Sequence, residues 1–227
     1  MGSASASAGS LQETGRSRPQ HGAFRETTVL VCGHTPEPEG NRLAGMVRDM
    51  GGSTQARFHA KGLPHVVVCG CTLDEGYRAL MRVTSQVPVV TKSWLEACWE
   101  QQAQVPVDGH RAGPFTGLVI CTTNFNMQQR QAVEAAVVQG GGVFSPELQK
   151  GVCTHLVCGK PDGPKYNAAK KWGCIRIVSQ EWLNRSLQQG WPADEAQWPA
   201  RDTILASTGS AAAPVMPGPV VAAAVTM

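Results

Sequence analysis

The sequence predicts an α/β protein of two similar units, each a small, mostly parallel four-stranded sheet flanked by helices. Three observations carry that expectation. The pair Gly51-Gly52 recurs ninety residues on as Gly141-Gly142. His65, which opens the run HVVVCG, recurs at the same offset as His155 in HLVCG. Trp94-Leu95 recurs eighty-eight residues on as Trp182-Leu183. Landmarks in one order at near-constant spacing make a duplicated unit, and its length exceeds the ~20–50 residues of a solenoid repeat.

Within each unit the elements follow from hydrophobic period. Residues 28–32 and 118–122 are short apolar runs, as in a strand buried on both faces. Leu43, Met46, Val47 and Met50 then fall on one helical face, as do Ala132, Val133, Ala136 and Val137, and both helices stop at glycines. Short strands follow at 53–58 and 143–145, then the histidine-bearing strands. Helices at 74–83 and 164–171, strands at 87–90 and 175–178, and a tryptophan-bearing helix complete the units. The order is β-α-β-β-α-β-α, with helices on both faces of the sheet. The predicted domains are 25–102 and 115–200, joined by 103–114. The Ser/Ala/Gly-rich residues 1–24 and the Ala/Val/Pro-rich residues 201–227 show no sustained period and are expected to be disordered.

Composition narrows the function. Twenty Lys+Arg against 17 Asp+Glu leave a net charge of +3 over 227 residues. That field is too weak for nonspecific nucleic-acid binding, which neutralises many phosphates. No stretch approaches the ~20 apolar residues of a membrane span. The N-terminus lacks the apolar core of a secretory signal, and Ala6 stands where myristoylation needs Ser or Thr. The eight cysteines are therefore expected as reduced thiols. Cys69-x-Cys71 and Cys153-x-His155-x-x-Cys158 lack paired zinc knuckles and lie in apolar runs, so packing rather than metal is expected of them. GKPDGPK is not a phosphate loop of the G-x₄-G-K-[ST] type, and neither G-x-S-x-G nor H-E-x-x-H occurs. No enzymatic activity, cofactor or metal is expected.

Lys165 stands out. It follows Asp162-Gly163-Pro164, a helix start with proline at the first position. A cation in the first turn opposes the helix dipole unless an anion sits there. Open backbone N–H groups plus a lysine make an anion site.

The glycine pairs, Thr154-His155, and Trp-x-x-x-Cys/Ser (Trp94 to Cys98, Trp182 to Ser186) resemble the BRCT domain family, twice over, across about residues 27–195. The second unit, through FTGLVICTTNF and the stretch from Lys165 to Trp172, is similar to the N-terminal repeats of topoisomerase-II-binding-type checkpoint scaffolds. The resemblance implies a non-catalytic, nuclear module. Such a module binds phosphoserine or phosphothreonine motifs of replication and DNA-repair proteins. The alternatives within the family are DNA-end binding and phosphate-independent protein contact.

The resemblance also implies a site. A Ser or Thr ending the first strand and the next backbone N–H bond the phosphate, and a lysine opening the second helix supplies charge. Thr123, Asn124 and Lys165 fall on these positions, with Asn124 where the family usually has glycine. Thr122 replaces Thr123 if the strand register shifts by one. Lys170 is a further candidate for acidic peptide residues. In the first unit the strand ends Val31-Cys32-Gly33-His34, and counting back from Trp94 puts Arg78 at the lysine position.

Overall fold

The computed structural model describes residues 22–35, 37–55, 57–59 and 62–201. The first unit runs β1 (Thr28–Cys32), α1 (Glu37–Asp49), β2 (Ser53–Gln55), β3 (Val66–Cys69), α2 (Glu75–Val83), β4 (Val89–Val90) and α3 (Lys92–Gln101). The second repeats it as β5 (Val119–Thr123), α4 (Met127–Gln139), β6 (Val143–Ser145), β7 (His155–Cys158), α5 (Pro164–Trp172), β8 (Arg176–Ser179) and α6 (Gln180–Gln189). A 3₁₀ turn, Glu195–Gln197, follows. The expected order of elements is present in both units, and the boundaries differ by a few residues.

Each sheet is wholly parallel, in the orders β2-β1-β3-β4 and β6-β5-β7-β8. Side chains alternate across a strand, so each central strand feeds two cores. In the first unit Val29 and Val68 join α1 and α3, while Leu30 and Val67 join α2. In the second, Ile120 and Val157 pack with α4 and α6, and Cys121, Leu156 and Cys158 with α5.

The duplicated glycines and tryptophans have a packing cause, whereas the two histidines are one position out of register: His155 pairs with Ile120 as Val66 pairs with Val29, and His65 stands where Thr154 does. Gly51 and Gly141 take positive φ (87° and 77°), the left-handed turn that ends α1 and α4. At Gly52 and Gly142 a Cβ would lie 2.8 Å from the Cβ of Phe24 and Phe115 respectively. Those rings pack on the tryptophans, Phe24 on Trp94 at 5.4 Å and Phe115 on Trp182 at 5.3 Å between centroids. The indoles also find matching partners: Trp94 Nε1 donates to Val105 O and Trp182 Nε1 to Ala193 O. Gly142→Ala should therefore overpack this corner and cost about 1–3 kcal/mol, read as a lower urea midpoint at unchanged slope.

Phe24 corrects one expectation. Composition places it in the 1–24 tail, yet it is fully buried and its N–H donates to Met50 O. Its apolar ring closes the first core as Phe115 closes the second. Residues 1–21 and 202–227 of the two expected tails lie outside the described residues.

The join is tied to the first unit. Val105 and Val107 pack on its core, Ala112 N–H donates to Val89 O, and Arg111 bridges Val90 in antiparallel sense. The units also meet directly. Thr72 gives its N–H to Thr116 O and its hydroxyl to Pro114 O. Leu73 packs into the second unit's core, and Trp191 against the first unit's.

Candidate functional site

The C-terminal end of β5 decides which threonine faces outward. Val119 and Cys121 point to the α5 side and Ile120 to the α4 side. Alternation sends Thr122 with Ile120 and Thr123 with Cys121. Thr122 is 5% exposed, whereas Thr123 is half-buried at the rim. The pleat therefore presents Thr123 at the rim on the α5 side, while Thr122 lies largely within the core.

Lys165 comes to the same face. Its Nζ donates to Pro146 O at 2.8 Å and to Thr122 O at 3.2 Å, and lies 3.6 Å from Cys121 Sγ. The ammonium therefore sits under the end of β5, on the side to which Thr123 turns. Burial pushes the Cys121 thiol up, against a smaller opposing pull from Lys165, so the sulfur is a neutral thiol. Lys170 lies five residues on, about 140° around the helix. It is exposed on a different face of α5.

The start of α5 is open. Its N-cap is Gly163, at φ 90°, which has no side chain to cap the helix, and Pro164 follows. The nearby carboxylate is Asp162, whose Oδ1 accepts from Gly163 N–H at 2.7 Å. The start of α4 is closed, since Asn126 and Gln129 form a reciprocal capping box. Asn124, between β5 and α4, takes φ 59°. Its backbone adopts the left-handed conformation that glycine provides at the same point of the first unit, Gly33 at φ 68°. Its carboxamide nitrogen donates to Lys160 O and Asp162 O.

The first unit differs at every position. Cys32 replaces the threonine, and a hydrogen bond with Cys69, then burial, push its thiol far above the ordinary range. Since α2 and α5 open at Glu75 and Pro164, the counterpart of Lys165 is Gly76, two residues before Arg78. The Asp74 carboxylate already caps α2 by accepting from Tyr77 N–H at 3.1 Å. The three positions that carry the hydroxyl, the ammonium and the open helix start in the second unit thus hold a neutral thiol, a glycine and a capping carboxylate in the first.

Arg78, the candidate in that unit, is engaged elsewhere. Its guanidinium forks onto Glu195 of the second unit, through Nη1 to Oε2 at 3.1 Å and Nη2 to Oε1. Glu195 Oε1 also takes His155 Nε2 at 3.3 Å and lies 3.5 Å from Arg176 Nε. His155 is fully buried, stacked on Trp182 at 4.7 Å, with Nδ1 2.9 Å from the Thr154 hydroxyl. Burial holds its pKa below the ordinary histidine value, so the ring is neutral, with its proton on Nε2 facing Glu195. Glu195 was invisible in the sequence because 117 residues separate it from Arg78. No local pattern links the two.

A groove of about 1760 Å³ lies between the units, bordered by Tyr77, Met81, Leu187, Trp191 and Trp198. It adjoins Arg78 and the C-terminal end of α4 (Gln139), not the Thr123 rim at its other end. No three His, Cys, Asp or Glu side chains among the described residues come together to hold a metal. His155 and Cys158 point to opposite faces of β7. No helix among them is long and apolar enough to cross a membrane.

Two parallel four-stranded units in this strand order, each closed by a buried tryptophan helix, have the fold of tandem BRCT structures, an architecture typical of non-catalytic protein-interaction modules. Residues 118–182 match the family model of the twin BRCT domain, and the chain as a whole resembles tandem BRCT proteins. It is 26% identical over 168 residues to S-M checkpoint control protein rad4 of Schizosaccharomyces pombe, covering 71% of this chain and 25% of that protein. It is 33% identical over 118 residues to PAX-interacting protein 1 of Mus musculus, covering 51% of this chain and 11% of that one. The chain thus spans a quarter or less of these relatives. A crystal structure of Rad4 BRCT1,2 in complex with a Crb2 phosphopeptide superposes with a TM-score of 0.65 at 21% identity, covering 78% of this chain and 98% of that one. A second, in complex with a Mdb1 phosphopeptide, gives 0.64 at 22%, covering 77% and 97%.

Proposed function

We propose that this chain is a non-catalytic, phosphopeptide-binding adaptor of nuclear replication and DNA-damage checkpoint signalling. Its domains are 25–102 and 115–200, joined by 103–114, and its pocket lies in the second. The observation that carries the reading is the convergence of Lys165 Nζ and the uncapped start of α5 on the face of β5 that bears Thr123. A phosphate brings about −1.5 to −2 charge and three acceptor oxygens. A hydroxyl (Thr123), a backbone amide (Asn124) and an ammonium (Lys165) complement it. The ammonium exchanges its exposed bond to Pro146 O for a phosphate oxygen and keeps its inner bond to Thr122 O. The similarity to Rad4, whose tandem BRCT structures hold phosphopeptides, supports the same ligand class. The partners are then phosphoserine or phosphothreonine segments of replication and repair proteins.

The test is a titration of the whole chain with a degenerate phosphothreonine and phosphoserine peptide mixture against its unphosphorylated twin. A preference of roughly tenfold or more is expected, since hydrogen bonds to a charged group are worth about 1.5–3 kcal/mol each. Equal affinities overturn the proposal. The inter-unit groove, with Trp191 and Trp198 on its walls, favours the phosphate-independent alternative. Under it, peptide binding would survive loss of Lys165 and fail in Trp191→Ala. DNA-end binding would show as affinity for a duplex end that drops steeply with salt.

A further inference from the structure

We infer that the Asn124 carboxamide is a positioning device for this site, holding the 160–162 loop and the open start of α5 against the end of β5. The inference rests on the site reading above, in which Asn124 lends its backbone amide.

The turn after β5 does not itself call for asparagine. Its left-handed conformation is free for glycine, and the first unit makes the equivalent turn with Gly33. Asparagine is one of the few L-residues that tolerate the region. What it adds is a side chain with two N–H donors. Both are used: Nδ2 donates to Lys160 O at 2.8 Å and to Asp162 O at 2.7 Å. Gly159 N–H donates to Thr123 O at 3.1 Å and ties the root of the same loop. Three hydrogen bonds therefore run from Thr123-Asn124 to the segment that ends at Gly163, the N-cap of α5. Lys165 rides on the first turn beyond it.

The first unit is the internal contrast. Gly33 has no side chain, and the start of α2 is closed by its own aspartate, Asp74. There the helix start is occupied by a capping carboxylate. In the second unit the helix is left uncapped and its start is tethered to the strand that bears the hydroxyl. A site whose three ligand groups come from two segments gains affinity when those segments are held in place before the ligand arrives.

Asn124→Gly deletes the carboxamide and keeps both the left-handed turn and the backbone N–H. Two measurements are made on the whole chain: titration with a degenerate phosphothreonine peptide mixture and its unphosphorylated twin, and amide hydrogen exchange without peptide. The expected result is about tenfold weaker binding of the phosphorylated mixture, the order of loss when preorganising hydrogen bonds are removed. Binding of the unphosphorylated mixture stays unchanged, and amides 160–165 exchange faster. Unchanged phosphopeptide affinity overturns the inference, whatever the exchange shows. If the wild-type chain has no preference for the phosphorylated mixture, the site reading falls instead. The exchange arm then decides alone whether Asn124 holds the loop, and unchanged exchange overturns that as well.

Discussion

A Lys165→Glu chain should lose its preference for phosphorylated over unphosphorylated peptides, with the ratio falling about a hundredfold or to unity. The substitution does two things at once. It removes the Lys165 ammonium from the end of β5 on the Thr123 side. It also places a carboxylate in the first turn of α5 beside the Asp162 carboxylate, which already occupies Gly163 N–H. A phosphate then meets like charge where it had met a cation, and removing one partner of a close charge pair costs about 2–5 kcal/mol. Lys165→Gln separates the two contributions, since it removes the cation without adding an anion and should fall between. Folding is affected little, because the bonds lost from Nζ go to backbone carbonyls at a half-exposed rim. The measurement is peptide titration beside a urea unfolding curve. A glutamate variant that keeps the wild-type ratio would dismiss the site. Placing lysine at Gly76, its counterpart, should create no preference in the first unit, where Cys32 and Asp74 stand in the other positions.

The largest loss of stability is expected from Glu195→Ala, about 3 kcal/mol, because it strands partners that are buried with it. Glu195 is 13% exposed, and its carboxylate is shared by Arg78, His155 and Arg176. Without it a half-buried guanidinium and a fully buried imidazole lose their acceptor, and the units lose an ionic tie. Arg78→Ala should cost less, and the double variant should cost less than the sum, because each single change removes the same contact.

The network also sets the acid response. Burial alone would raise the Glu195 carboxyl, but hydrogen bonds from His155 and Arg78 outweigh it and hold the group well below the usual carboxylate range. Its contribution is therefore complete above the ordinary glutamate value of about 4.3. It is lost as pH falls through the lower folded value. His155 acts higher on the scale. Its folded pKa is lowered by burial, so the unfolded chain takes up a proton below the ordinary 6.5 while the folded chain does not. Stability then declines as pH falls from 6.5 towards the folded value. Urea unfolding from pH 7.5 to 3 should show both declines in the wild type and only the upper one in Glu195→Ala. A wild-type curve flat between pH 7 and 5 would contradict the buried neutral histidine.

Much of the fold is legible because its causes are local. A central parallel strand must be apolar on both faces, so residues 28–32 announce themselves. Gly51-Gly52 and Gly141-Gly142 recur because each unit needs a left-handed helix stop followed by room for a phenylalanine. Lys165 is legible for a similar reason, since a cation after Gly-Pro at a helix start is unfavourable without an anion. Phe24 was open to the same logic. It stands ninety-one residues before Phe115, in the same relation to its strand, but the composition of the tail runs up to it and masks it.

The sequence by itself determined two α/β units, their order of elements and the stretch of chain in which a phosphate site could lie, because hydrophobic period and turn chemistry act over a few residues. Only the tertiary structure decided which groups meet. Thr123 rather than Thr122 faces α5, because the pleat turns one of them into the core. Arg78 stands opposite Glu195 instead of an open pocket, because the two units pack there. Asn124 is more than a tolerated substitute for glycine, because two carbonyls from a loop some thirty-seven residues away come within reach of its carboxamide. Contacts between segments far apart in sequence depend on packing as a whole, and no local pattern encodes them.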